Sequence, residues 1–512
     1  MSEWSAGYVA DIGYTYGYYV ELNPARIKLA FLNAGLVFPE VGHACELGFG
    51  QGLSTNFHAA ASTVEWHGTD FNPSQAGFAQ ELAAASGARV RLHDQSFAEF
   101  CARDDLPDFD SIGLHGIWSW VSNENRAIIV DFIRRKLKVG GVLYISYNTQ
   151  PGWAAMVPVR DLLTQHNEIM EAPGRKLTDR IGDSLEFVSR MFATNPTFCK
   201  VNPQVVERVN RMKEQNRNYV AHEYFNRDWL PMSFADMAGW LEPAKLNFAC
   251  STHYLDHIDN INLSTEQRAL LDEVSDPMFK QTVRDFMVNQ NFRRDYWVRG
   301  ARSLSVLDRA ERIREQRVML IVPRADVPLK VTGGSGEAAL QEAVYVPILD
   351  YLADHKFRTI GQIEQAVAEY QLTFGQVVQA VFVLLGMNTL QAVQSDAEIA
   401  AARKQTDKLN LHICKVARGG SDIAYLASPA TGGALSVSRM GQLFLLARGV
   451  GRKTPADWAR FVSDVFTQQG QRILKEGKVV ETAEEELVEL TKQAEVFAEK
   501  QLPIYRAAGI VS

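Results

Sequence analysis

The densest chemical signal in the chain is Glu46-Leu47-Gly48-Phe49-Gly50-Gln51-Gly52, at the end of an apolar run that reads as a strand. Glycines at such a turn let the backbone bend tightly and let a ligand approach the main chain ahead of a helix N-terminus. A dinucleotide fingerprint requires G-x-G-x-x-G, but position 53 is Leu and the third glycine comes one residue early. No Gly-Lys-Ser/Thr follows, so a phosphate loop is excluded as well, and the late Gly451-Arg452-Lys453-Thr454 run reads as a basic loop. Two carboxylates stand at the ends of the next two strand readings. Asp70 lies 22 residues after Gly48, and Asp94 is followed by Gln95, Ser96 and Phe97.

An acid two residues before G-x-G-x-G resembles the pattern of class I S-adenosylmethionine (AdoMet) dependent methyltransferases. In that setting Glu46 meets the methionine ammonium, Gly48, Gly50 and Gly52 form the turn, Asp70 takes both ribose hydroxyls, and Asp94 with Gln95 faces the adenine. Methyl transfer from a sulfonium is an in-line displacement. It needs alignment, exclusion of water and an unprotonated nucleophile, with no metal and no Ser-His-Asp arrangement. The fourth and fifth strand readings end in His115-Gly116-Ile117-Trp118-Ser119-Trp120 and Ser146-Tyr147-Asn148-Thr149-Gln150-Pro151-Gly152-Trp153, at the carboxyl edge where open α/β sheets bind ligands. Upstream stand Tyr14, Tyr16, Tyr18 and Tyr19, then Glu21. Aromatic faces hold ammonium and sulfonium groups by about 0.5–2 kcal/mol each, and Glu21 can bind or deprotonate an amine. The candidate pocket residues are therefore Tyr16, Tyr19, Glu21, Trp118, Tyr147 and Asn148; against this, Tyr18 and Tyr19 also read as packing rings. No Asp/Asn-Pro-Pro-Tyr follows the fourth strand, which argues against a nucleic-acid base as acceptor.

Strand readings at Gly42–Leu47, Val64–Thr69, Val90–His93, Phe109–His115 and Gly141–Ser146 alternate with helices at Ser54–Ala61, Ser74–Ser86 and Glu124–Leu137. This predicts a doubly wound, Rossmann-like parallel sheet. The expected division is an AdoMet-binding domain over 1–154, a helical insertion over 155–217, the end of the sheet with a second block over 218–300, a connecting segment over 301–336 and a partner-binding region over 337–512. A helix at Ser233–Leu241 and a strand at Lys245–His253 complete the sheet near residue 255, and helices are expected through 264–300. The Thr332–Gly336 stretch reads as a linker by composition. Helical spacing at Ala343–His355, Ile360–Tyr370 and Phe374–Leu385, followed by a β-rich segment, predicts a mainly α, winged-helix-like module; Glu484–Glu499 reads as a further helix.

The chain has 512 residues, 46% hydrophobic and 22% charged, with 53 basic against 60 acidic side chains for a net −7. That balance removes the electrostatic prior for nucleic acid. The longest apolar runs, such as Ala380–Leu385, fall far short of the roughly 20 residues that span a bilayer. The start, Met1-Ser2-Glu3-Trp4, lacks a basic-then-apolar leader. Five scattered cysteines without C-x-x-C imply reduced thiols in a cytoplasm and no cysteine zinc site. His253 and His257 are four apart on a strand reading and lack a third ligand, so no metal is expected. Asn289–Arg299 reads as an internal salt-bridge and stacking network rather than a nucleic-acid surface.

The segments Tyr16–Gly35, the glycine turn, Ser146–Trp153, Ala221–Leu241 and Gln290–Gly300 together resemble bacterial methyltransferases with a methyltransferase regulatory domain, among them rickettsial protein-lysine methyltransferases. The regulatory block matches Tyr219–Gly300. The resemblance implies a cytoplasmic AdoMet enzyme that N-methylates lysine side chains of a protein substrate, helical segments that mediate a homodimer, and C-terminal modules that engage the acceptor. The alternatives are a small-molecule O- or N-methyltransferase and a non-catalytic AdoMet-binding interaction protein.

Overall fold

The computed structural model describes residues 8, 13, 15–170, 172, 174–475, 478–480 and 482–511. Tyr14 lies outside them. Seven strands form the central sheet: β1 (His43–Leu47), β2 (Glu65–Thr69), β3 (Val90–His93), β4 (Phe109–Leu114), β5 (Leu137–Asn148), β6 (Leu246–Ser251) and β7 (Phe292–Arg299). Their spatial order is β3-β2-β1-β4-β5-β7-β6. The first five are parallel, and β7 runs antiparallel to both neighbours. The order reverses between β1 and β4, which opens a crevice at the carboxyl ends of those strands. All six β4 residues are buried, as expected of a central parallel strand.

Local chemistry sets the crossovers: α1 (Pro24–Asn33), α2 (Leu53–Ala61), α3 (Pro73–Ser86), α4 (Phe97–Cys101) and α5 (Asn123–Lys136). Asn23 and Asn72 cap α1 and α3 with Pro at the first helical position, and Ser96 with Glu99 forms a capping box on α4. Residues 157–214 hold the helices Val157–Ile169, Leu177–Ala193, Thr197–Val201 and Gln204–Glu214. These bury Leu163, Leu185, Val188 and Val209 in a core of their own.

Two expectations are corrected. Residues 292–299 are a strand rather than a helix, so the sheet closes at Arg299 and not near 255. The cause is Arg293 on β7, which is buried between Asp285 and Asp295 at 2.6 and 2.8 Å. Charges neutralised inside the core give a buried β-segment a polar pattern. The same pairs, with Arg293 over the Phe234 ring, make Asn289–Arg299 an internal network. The Thr332–Gly336 stretch is the turn of a hairpin, Lys330–Gly333 against Gly336–Ala339. Beside it, Arg317–Leu320 is the middle strand of an antiparallel sheet with Arg358–Thr359 and Leu390–Val393. Helices Glu342–Tyr351, Ile360–Ala366 and Phe374–Gly386 complete a winged-helix-like module whose core is continuous with α1 and β7.

The last 120 or so residues of the chain pack over α2, on the face of the sheet that α2 covers. The 21-residue helix Asp396–Val416 and the hairpin Tyr425–Ser428/Gly433–Ser436 pack on α2, burying all nine of its residues. All five cysteines are free and buried. Among the described residues no helix is long and apolar enough to cross a membrane.

Candidate functional site

The glycine turn leaves β1 with left-handed backbone at Gly48 (φ +73°), Gly50 (+58°) and Gly52 (+67°). At Gly48 a Cβ would stand 2.4 Å from Ile117 Cδ1, and at Gly52 it would stand 2.5 Å from Ala79 Cβ on α3. Only glycine combines those angles with that closeness. Asp70, at the end of β2, fixes the turn: its Oδ2 accepts from the Gly50 N–H at 2.8 Å and its Oδ1 from the Asn72 N–H at 3.0 Å. Burial pushes the Asp70 carboxyl up to about 6, against the pull of those two donors.

A cleft of about 1180 Å³, counted to its open mouth, lies over this turn. Gly48, Gly50 and Asp70 line its floor. Gln95, Ser96 and Phe97 close one side, and Ile117, Trp120 and Asn125 another. At its far end Tyr19 stacks on His115 with centroids 3.4 Å apart and planes 17° apart. His115 Nδ1 lies 2.6 Å from the Tyr144 hydroxyl, and burial pushes the imidazole down to about 4, so it is neutral at physiological pH. The Tyr19 N–H donates to Ser54 Oγ, which ties this ring to α2.

Of the cofactor-side residues read from the sequence, Gly48, Gly50, Asp70 and Gln95 reach the cleft. Glu46 is buried, accepts from the Thr55 hydroxyl on α2, and is pushed up to about 8 by burial with a further contribution from Asp70. It stands behind the turn and not on the cleft wall. Gly52 sits against Ala79, also behind the wall. Asp94 is exposed beyond the rim.

Of the six candidate pocket residues, Tyr19 reaches the cleft. Trp118 is fully buried, its indole N–H donating to Met232 Sδ at 3.2 Å. Its neighbour Trp120, on the opposite side of the turn Trp118–Trp120, lines the cleft instead. Tyr147 points into the core beneath the sheet and donates to Asp295 at 3.1 Å, and Asn148 is buried with its N–H donating to Ser119 Oγ. Tyr16 packs edge-on against Phe78. Glu21 turns away, paired with Arg294 at 2.6 Å; burial opposes ionisation, but Arg294 and Arg26 hold the carboxyl below its ordinary value. Glu21, Tyr18, Arg26 and Arg294 face a second cavity of about 1380 Å³ shared with Tyr425 and Tyr505 of the C-terminal half. His257 bonds to the Ser251 carbonyl and to Asn33, so it has no lone pair aimed at a shared ion with His253. The residues missed in the sequence are His115, Trp120 and Phe71. His115 directly follows β4, and that position was its signal.

This strand order, with the glycine turn and Asp70 at its switch point, is the fold of class I AdoMet-dependent methyltransferases. Residues 216–299 match the family described as a predicted methyltransferase regulatory domain, in agreement with the block expected at Tyr219–Gly300. The chain is 38% identical to uncharacterised protein sll1526 of Synechocystis sp. over 99% of both chains, and it belongs to that protein's family. An uncharacterised protein of Rickettsia prowazekii is 26% identical over 54% of this chain and 49% of its own length. Among solved structures, PKMT2 from Rickettsia typhi in complex with AdoHcy superposes with a TM-score of 0.70 at 15% identity, covering 97% of this chain and 99% of that one. The shared architecture therefore includes the C-terminal half.

Proposed function

We propose that the chain binds S-adenosylmethionine in the cleft over Gly48–Gly50 and transfers its methyl group to a lysine side chain of a protein. The observation that carries the reading is the Asp70 carboxylate. It lines the cleft and is locked to the turn through one lone pair on each oxygen, which leaves an acceptor position on each for a vicinal diol. Gln95 and Phe97 flank the adenine position. The glycine floor admits the backbone-close end of the ligand, since a Cβ at Gly48 would collide with Ile117, itself on the cleft wall. When bound, the cofactor supplies a methyl on a sulfonium, which forms a C–N bond with the amine lone pair as the C–S electrons stay on sulfur.

The residues of this chain align and enclose that exchange. The Tyr19–His115 stack presents aromatic faces where an ammonium or sulfonium is held by cation–π attraction. Neutral His115 adds no competing positive charge, and its low basicity leaves the amine proton to pass to solvent. The lysine acceptor is supported by the likeness to PKMT2 over nearly the whole chain, because that likeness includes the modules beyond the cofactor sheet.

Incubating the purified chain with methyl-labelled AdoMet and a lysate of its own host tests this. Label in protein that hydrolyses to methyl-lysine is the expected result. Label in the small-molecule fraction, or AdoMet binding with no transfer, overturns it.

A further inference from the structure

At the opposite edge of the sheet from the cleft, His43 on β1 and Glu65 and His67 on β2 come together. The parallel register sets His43 beside Glu65, and His67 follows two residues on, so the three side chains share one face. One nitrogen from each ring and one Glu65 oxygen all lie within 4.8 Å of one another. His67 is 3% exposed, and neither of its ring nitrogens makes a well-directed hydrogen bond; the buried Nδ1 of His43 has no partner either. Leaving buried ring nitrogens without a well-directed hydrogen bond costs free energy comparable to lost hydrogen bonds. A bound cation would take one nitrogen from each ring and one Glu65 oxygen at once.

We propose that His43, Glu65 and His67 form a binding site for a divalent cation of the zinc class, clamping β1 to β2. Two neutral imidazoles and a carboxylate are a zinc-type donor set. Tetrahedral ligands at about 2.0–2.1 Å from the ion stand roughly 3.3–3.4 Å apart, and His67 Nε2 already lies 3.3 Å from Glu65 Oε1. Closing the set asks mainly for a rotation of partly exposed His43. Its backbone is held because the Gly42 and His43 N–H groups donate to Asp110 Oδ2. The competing cation is Arg91, 3.4 Å from Glu65 but 68% exposed and free to swing into water. Local sequence spacing hides the site because its ligands come from two strands 22 residues apart. The site is independent of the cofactor cleft.

The test uses the full, tag-free chain, stripped with chelator, then given ZnCl2 and, separately, CoCl2. The expected results are one ion per chain retained through gel filtration, a higher Tm with zinc, and the intense visible bands of four-coordinate cobalt. His67→Ala and Glu65→Gln weaken retention by no less than the roughly 10- to 100-fold typical of outer-sphere changes, while His253→Ala leaves it unchanged. Glu65 is partly exposed, so Glu65→Gln carries the test if His67→Ala fails to fold. Absence of a retained ion in the unaltered chain, or equal retention in Glu65→Gln, overturns the proposal.

Discussion

Asp70 makes a two-sided prediction. Burial lifts its carboxyl from the ordinary 3.8 to about 6. Between those values the native chain holds a proton that the unfolded chain has released. Stability therefore falls as pH rises through that window, and above pH 6 the deficit is complete at about two pH units, or roughly 3 kcal/mol. Hydroxyls of a bound ribose favour the ionised form and pull the pKa back down. AdoMet affinity should thus climb about tenfold per pH unit towards pH 6 and level off above it. Other carboxyl and imidazole groups near the site do not mimic this step: Glu46 is pushed up to about 8 and stays protonated, and His115 is pushed down to about 4 and stays neutral. In Asp70→Asn the acid-side change in stability, measured against the unaltered chain, should vanish. Loss of charge on two hydroxyl contacts should weaken AdoMet by about 100-fold, each charged hydrogen bond exceeding its neutral counterpart by roughly 1–2 kcal/mol. Urea titrations and calorimetry at pH 5, 6 and 7.5 measure both. An Asp70→Asn chain that binds AdoMet with unchanged affinity, or that keeps the same slope between pH 5 and 6, refutes the assignment.

Gly52→Ala combines a left-handed backbone with a 2.5 Å approach to Ala79, and should cost about 2–4 kcal/mol by urea midpoint. Arg293→Met strands Asp285 and Asp295 in the core; a loss of about 3–5 kcal/mol is expected, smaller at pH 5 than at pH 7.5, because protonated carboxyls need no counter-charge. His115→Phe keeps the stack on Tyr19 but removes the bond to Tyr144. Methyl transfer should drop roughly tenfold while the Kd for AdoMet stays within about twofold, which single-turnover assays separate from binding. A chain ended before Glu342 uncovers Leu53, Phe57 and Ala60 on α2, and should be insoluble or bind an apolar dye strongly.

The parts of this molecule legible in its residues are those governed by local chemistry. The turn at Gly48–Gly52 and Asp70 could be found because left-handed angles and a strand-end carboxylate restrict residue type within a few positions. Side-chain direction at a strand end is another matter. Trp118 and Trp120 flank one half-turn, and which of them meets the cleft depends on the packing of Met232 against Trp118, a contact 114 residues away. The direction of Tyr147 likewise depends on a distant strand, since β7 alongside β5 draws it to Asp295. The strand β7 was hidden by its own ion pairs. The helix Asp396–Val416 carries its buried stripe on Ala402, Thr406, Leu409, Asn410 and Ile413, a correct helical spacing written largely in small and polar residues.

The block matched as a regulatory domain supplies β6 and β7, and β7 bonds to β5, whose end carries Tyr147 and Asn148. It is therefore part of the catalytic sheet and not an appendage to it. The C-terminal half is equally committed, because α2 buries residues on every side and needs that half as its outer cover. Between the two runs the segment through Tyr18, Tyr19 and Glu21. Tyr19 faces the cleft, whereas Tyr18 and Glu21 face the cavity shared with the C-terminal half. The Tyr18 hydroxyl accepts from the Ala434 N–H, and the Asn23 amide donates to the Thr431 carbonyl, so the segment is anchored to the hairpin Tyr425–Ser428/Gly433–Ser436. A displacement of that hairpin would move the ring that stacks on His115. The additional residues thus cover α2 and, through one short stretch of chain, hold the ring at the far end of the cleft.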